Sequence, residues 1–345
     1  MSFSPDFMAT HLAAVPQRDP EEACRLIIKN FPEAPGIPRL TKSTRMYLEN
    51  VPCLVIDSEK RKLWFDLSPE REHELLEFYD KCESGDLDYF AISREWAPGM
   101  YAMLDVLKAE RPSELRVVHV QTPGPVTWGL TITDAQGNLA FHNETLRDVL
   151  VKTLAMKAKW QEQRIKEALP GVETMIDFGE PSLVVHTSAV GGGRREDIVE
   201  ALNGVLDAVD GLTCIHCCAN IDWTILMDTH TDAINFDAYE YSDKLALYPK
   251  ELGSFLSRGG MIAWGIVPTS DEKIAPEDLD SLTDRLEGSL KLLADQGVDE
   301  EALRRSAILT PSCATSSMSL PMAEKAFALT SGLSRRMRDK YSLRT

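Results

Sequence analysis

Four side chains in three separated stretches carry the chemistry that a metal ion would need. Ile215-His216-Cys217-Cys218 supplies an imidazole and a thiol two positions apart. Phe236-Asp237-Ala238-Tyr239-Glu240 supplies a carboxylate, and Pro311-Ser312-Cys313 a second thiol. Residues two apart on a strand project to the same face, so His216 and Cys218 can serve one ion. Together with Glu240 and Cys313 they form a set of one nitrogen, two sulfurs and one oxygen, which zinc favours. A zinc ion carrying two thiolates and a carboxylate is electron-rich. It suits a third, substrate thiolate better than the activation of water, and so points to alkyl transfer onto sulfur.

The elements that must position these groups follow from residue patterning. From residue 116 onward, β-rich runs alternate with amphipathic helical stretches. Strands are expected at Arg116–Gln121, Thr174–Phe178, Leu212–Cys217, Ala233–Ala238, Met261–Val267 and Ser306–Thr310. Helices are expected at Asn143–Ala168, Arg194–Ala208, Asp222–Met227, Ser242–Ser257, Pro276–Gln296 and Met322–Lys340. That alternation predicts parallel strands with crossover helices. With Phe7–Ala13 as a first strand, Pro20–Lys29 as its helix and Gly36–Leu40 as a second strand, eight strands would close a (β/α)8 barrel, the fold class expected. The chain reads as one barrel domain over residues 1–345, with an insertion at about 44–110. There, Cys53–Asp57 and Lys62–Asp66 form a hairpin around Ser58-Glu59-Lys60-Arg61, and helices follow near Pro69–Lys81 and Ser93–Leu107. Active sites of barrels lie at the C-terminal ends of the strands. His216 and Cys218 end one strand, Glu240 follows the next and Cys313 follows the last, so all four fall on one rim.

The gross numbers exclude several classes. The 345 residues hold 37 Lys and Arg against 54 Asp and Glu, a net charge of -17. That charge gives no basic footprint for nucleic acid and disfavours an anionic membrane surface. No apolar run reaches the ~18 residues of a membrane span, and Met1–Asp6 does not read as a signal peptide. Seven cysteines, three of them within 214–218, do not form a disulfide framework. A reducing cytoplasm is expected, where thiols remain free for a metal.

These segments resemble the C-terminal catalytic domain of cobalamin-independent methionine synthase, in the superfamily of uroporphyrinogen decarboxylase-like barrels. The family's His-x-Cys, following Glu and Cys in a Pro-Asp-Cys-Gly context match His216, Cys218, Glu240 and Cys313, the last here in Pro311-Ser312-Cys313-Ala314. Thr122-Pro123-Gly124-Pro125-Val126-Thr127, Glu180-Pro181-Ser182 and the start at Thr10–Ala23 match as well. The resemblance implies a zinc-dependent methyltransferase with a small thiol as acceptor, homocysteine in the family. It makes Glu240 and Glu180 the candidate catalytic carboxylates. Ala13, Ala14, Asp177, Gly179, Glu180 and Trp264 become the candidate substrate contacts.

Departures from the family are specific. Leu12-Ala13-Ala14 stands where the family has an Ile-Gly-Ser turn for the homocysteine carboxylate. Gly179-Glu180-Pro181 replaces Asp-Glu-Pro, whose Asp helps bind the amino group, and Asp177 lies two residues earlier. Gly36–Leu40 lacks the family's second amine-binding Glu. Trp264-Gly265-Ile266-Val267-Pro268 ends without the His that donates a proton in transfer from folate. A short chain with these losses implies a corrinoid protein as methyl donor, since methylcobalamin needs no protonation of a leaving amine. A thiol without the α-amino acid group fits them better than homocysteine does. Two other readings stand beside this one: a decarboxylase-like lyase on the same barrel, which leaves the zinc set unexplained, and a non-catalytic barrel that holds zinc or thiols.

Other residues read more plainly. Cys217 alternates to the opposite strand face and Cys214 lies deeper, so both belong to the core. His119 reads as barrel interior, and Trp128 and Trp223 as rim aromatics. Gly191-Gly192-Gly193 lacks dinucleotide or phosphate-loop spacing and reads as a flexible rim loop, placed to act as a lid.

Overall fold

The computed structural model describes residues 3–40, 44–57, 59, 62–187 and 193–343. Among the described residues ten strands form: β1 (Met8–Ala9), β2 (Leu54–Asp57), β3 (Lys62–Phe65), β4 (Val117–Pro123), β5 (Thr133–Asp134), β6 (Glu173–Gly179), β7 (Leu212–Cys217), β8 (Ala233–Phe236), β9 (Met261–Val267) and β10 (Ala307–Pro311). Seven of them make one curled parallel sheet in the order β1-β10-β9-β8-β7-β6-β4, with helices in the crossovers. Nearly every residue of these strands is buried, because both faces of the sheet are covered.

The expected eighth strand does not form. Gly36–Leu40 occupies its place in the order, making isolated parallel bridges from Gly36 to His119 and from Arg39 to Ala14. Ile37 N–H donates to His119 O at 2.8 Å, and Arg39 N–H to Ala13 O at 2.6 Å. Pro35 and Pro38 carry no N–H, so a continuous ladder is impossible here. The sheet is therefore a seven-strand, barrel-like half-wrap rather than a closed eight-strand barrel.

Strand alternation sorts side chains into two layers. Met8, Val117, Met175, Cys214, Ala233, Met261, Ala263 and Ile308 pack together inside the curl. Ile215, Cys217, Ile234, Phe236, Trp264 and Leu309 face the helices in the larger cluster. Helix starts follow local chemistry: Asn143 caps Glu144–Ala168 through Leu146 N–H, and Asp278 and Ser281 form a capping box for Leu279–Asp295. The single helix expected at Ser242–Ser257 is two, Ala238–Leu245 and Pro249–Ser257. Pro249 disfavours helical backbone before it and opens the second helix instead.

The hairpin pairs β2 with β3 antiparallel, and β5 adds to β3 in parallel through Trp64 and Thr133. The loop beyond β4 is thus tied to the hairpin, which carries Leu63 to the rim. Two residues of β5 are too few to leave a periodic signal in the sequence. Among the described residues, no helix is long and apolar enough to cross a membrane.

Candidate metal centre and adjoining cavity

His216 and Cys218 leave the end of β7, and Cys313 follows β10. Their ligand atoms lie within 4.8 Å of one another. A tetrahedral zinc with bonds of ~2.0–2.3 Å spaces its ligand atoms by roughly 3.5 Å, so a closing shift of about an ångström suffices. The strand end at Cys313 depends on Gly265: a Cβ there would lie 2.4 Å from Phe236 O and 2.8 Å from Ser312 Cα.

Asn235, one strand over on β8 and opposite His216 in register, orients the imidazole. Its Oδ1 meets His216 Nδ1, and its Nδ2 donates to Thr310 Oγ1 at 2.9 Å. Because the amide nitrogen is engaged with Thr310, the oxygen faces the ring, and the Nδ1 position carries the proton. Nε2 is then the coordinating nitrogen. It is buried and has no hydrogen-bond partner. An orphaned imidazole nitrogen beside two sulfurs is the arrangement a thiophilic ion satisfies, so this donor set fits zinc.

Electrostatically, the ring and the two sulfurs act on one another, and an ion would have to displace protons to bind. Burial opposes charge on His216, but the nearby Cys313 sulfur, Asp177 and Asn235 outweigh it and hold the ring up at about 9. Cys313 beside Cys218 pulls the Cys218 thiol below its ordinary value, and is itself pushed up to about 12 by Cys218 and by burial. The two thiols thus interact, each shifting the other's hold on its proton in opposite directions.

Glu240 is not brought to this cluster. Its Oε1 sits 2.6 Å from Lys273 Nζ, and both side chains are partly exposed. The physical reason is local: Asp237 caps the helix Ala238–Leu245 through Glu240 N–H at 3.0 Å, which puts Glu240 in the first helical turn. Asp237 is the carboxylate nearer the centre, and burial pushes it up to about 6.

Beside the three donors lies a cavity of about 400 Å³, bounded also by Gly179, Trp128 and the hairpin residue Leu63. The other candidate contacts do not line it. Glu180 is buried and clamps the loop after β4, accepting Val126 N–H at 2.9 Å and Thr127 N–H at 2.7 Å. It fills the space over Gly124, where a Cβ would come within 2.1 Å of its Oε1. Burial raises its carboxyl to about 7. Asp177 lies deeper inside the curl, with Gln121 Nε2 at 3.2 Å and His119 Nε2 at 3.4 Å. Trp264 belongs to the helix-facing layer and packs on Phe236 at 5.5 Å between ring centroids, because its neighbours Ala263 and Gly265 take the inward positions. Trp223 is buried against Phe236 likewise. Ala13 and Ala14 act through backbone: Ala13 O accepts from Arg39, and Ala14 O from Thr315 N–H at 3.0 Å. Gly191 and Gly192 of the expected lid lie outside the described residues.

Asn235 and Arg39, the latter on the cavity wall, were not anticipated. Strand parity could have found Asn235, two residues before Asp237 and on the inward face; nothing in the sequence marks Arg39.

No known family pattern matches the chain, and no curated protein sequence matches it. Among solved structures, a B12-independent methionine synthase from Shewanella sp. W3-18-1, in complex with selenomethionine, aligns over 97% of this chain and 99% of that chain. The TM-score is 0.57 and the sequence identity 13%. A GH113 β-1,4-mannanase aligns over 100% of both chains at 12% identity, with a TM-score of 0.43. The first likeness shows a shared barrel-like fold; the second carries no argument.

Proposed function

We propose that this chain is a zinc-dependent methyltransferase that moves a methyl group onto a small thiol. The observation that carries the reading is the buried, unpartnered Nε2 of His216 facing Cys218 and Cys313, on the strand-end rim of a fold shared with a methionine synthase. His216, Cys218 and Cys313 would hold the ion, leaving a fourth position open toward the cavity, as in catalytic zinc sites. Zinc there supplies a Lewis acid that keeps the acceptor thiol as thiolate near neutral pH.

The chain's own residues do the rest. Asn235 and Thr310 fix the ring of His216, and Asn235 keeps its Nδ1 proton in place. Leu48, Leu63, Trp128 and Ile132 exclude water from the acceptor. Glu180 holds the loop that carries Trp128 in place. In the transfer, the acceptor sulfur forms the S–CH3 bond while the methyl carbon leaves its donor, and the bonding pair returns to the donor. We infer a methylcorrinoid donor, presented by a corrinoid protein, because Val267-Pro268 carries no His able to protonate a departing amine. A methylcorrinoid would supply an electrophilic methyl group and keep the bonding pair itself, with no proton donor required of this chain. Glu240, at its place on Lys273, is a candidate fourth ligand only in a thiol-free state.

The test is zinc-loaded protein with methylcobalamin and a panel of thiols, following loss of the methylcobalamin spectrum and formation of the thioether. Cobalt(II)-substituted protein is titrated in parallel for the thiolate-to-metal charge-transfer band. Turnover in wild type and none in Cys313→Ser supports the proposal. Absence of both turnover and a thiolate band overturns it.

A further inference from the structure

Resting on that reading, the charge pattern of the cavity narrows the acceptor. We infer that the acceptor is a short thiol whose far end is an anion, a carboxylate or sulfonate, with no ammonium group, and that Arg39 is its recognition residue.

Among the described residues, Arg39 is the only side chain of fixed charge on the cavity wall. The remaining wall beyond the metal donors is apolar or neutral, including Leu48, Trp128, Thr127 and Gln121. Among the described residues, no carboxylate lies within ion-pair distance of Arg39, and none of the residues outside that set is Asp or Glu. A half-buried guanidinium in an apolar pocket is costly without an anion, and a planar fork matches a carboxylate or sulfonate well. Its backbone is locked: Arg39 N–H donates to Ala13 O at 2.6 Å, and Arg39 O accepts from Val15 N–H at 3.2 Å. The adjoining Ala14 O holds Thr315, two residues past Cys313, so the guanidinium and the metal donors belong to one braced rim.

The complementary absence is equally specific. Recognition of an α-amino acid needs an anionic acceptor for the ammonium group, and neither acidic candidate bounds the cavity. Asp177 lies deeper, with its Oδ2 held by Gln121 and His119 and its Oδ1 buried without a hydrogen-bond partner. Glu180 is held by two backbone N–H groups. Among the described residues, an ammonium group entering this cavity would meet no carboxylate on its wall.

The experiment titrates cobalt(II)-substituted protein with 3-mercaptopropionate, 3-mercaptopropanesulfonate, 3-mercaptopropanol, cysteamine and homocysteine, reading the thiolate-to-cobalt band. The two anionic thiols should bind at least about tenfold tighter than 3-mercaptopropanol, with cysteamine and homocysteine weaker than either. The carboxylate and sulfonate arms distinguish which anion is preferred. Arg39→Gln should reduce the anion-to-neutral ratio to within about threefold, and Arg39→Lys should retain part of it. A thiolate band with no anion preference in wild type, or a preference for homocysteine, overturns the inference while leaving thiol ligation intact. An undiminished ratio in Arg39→Gln overturns the role of Arg39. No thiolate band with any thiol would overturn the methyltransfer reading itself, and this inference with it.

Discussion

Asn235 and His216 form one unit: the amide oxygen takes the Nδ1 side of the ring, and the amide nitrogen is anchored on Thr310 Oγ1. That single contact decides which imidazole nitrogen is presented to Cys218 and Cys313. Partners of this kind fix the tautomer of a ligating histidine and commonly tune metal affinity by 10–100-fold.

Asn235→Ala should therefore weaken zinc by about 10–100-fold without unfolding the chain. Competition against a chromophoric chelator measures this directly. A change below about threefold would mean that the ring is oriented by something else.

Cys218→Ser and Cys313→Ser should each bring zinc down from about one per chain to a small fraction. Glu240→Gln should leave the stoichiometry unchanged, since its carboxylate rests on Lys273. Elemental analysis after dialysis separates these outcomes. Metal loss in Glu240→Gln to the extent seen in Cys313→Ser would show that Glu240 leaves Lys273 to join the ion.

Gly265→Ala places a methyl group 2.4 Å from Phe236 O and 2.8 Å from Ser312 Cα, both backbone atoms with little freedom to yield. A destabilisation of about 1–3 kcal/mol is expected from such overpacking, together with weaker metal binding because Ser312 precedes Cys313. Urea unfolding with and without zinc tests both effects. An alanine variant as stable as wild type would show that β10 shifts freely.

Glu180 has a folded-state value near 7 against an ordinary 4.5, raised by burial. Between those values the folded chain keeps a proton that the unfolded chain releases, so this group's contribution to stability declines as pH rises through the window. The decline is at most roughly 3 kcal/mol. The unfolding free energy of wild type minus Glu180→Gln should fall between about pH 4.5 and pH 8, and a flat difference would refute the assignment.

Much of the strand layer was legible because parallel strands buried on both faces leave dense β-branched runs. β7 and β9 lie at their expected bounds, Leu212–Cys217 and Met261–Val267. The eighth strand was not legible, because Gly36–Leu40 has strand-like residues while its flanking and internal prolines remove the donors that a ladder needs. The hairpin was legible from its turn. Its pairing with β5 was not, since two residues of strand carry no period.

Residue type and position singled out His216, Cys218, Glu240 and Cys313, and the same-face rule that pairs His216 with Cys218 holds in any fold. The structure brings Cys313 to that pair but not Glu240. Tertiary structure decided what surrounds them. Glu240 is drawn to Lys273, and Glu180 becomes a clamp for its neighbouring loop. Trp264 turns outward by parity. Asn235 and Arg39 arrive from elements distant in sequence from the donors they serve. Those assignments depend on which strands are neighbours and which backbone groups remain unpaired, and such long-range facts leave no local imprint on the chain.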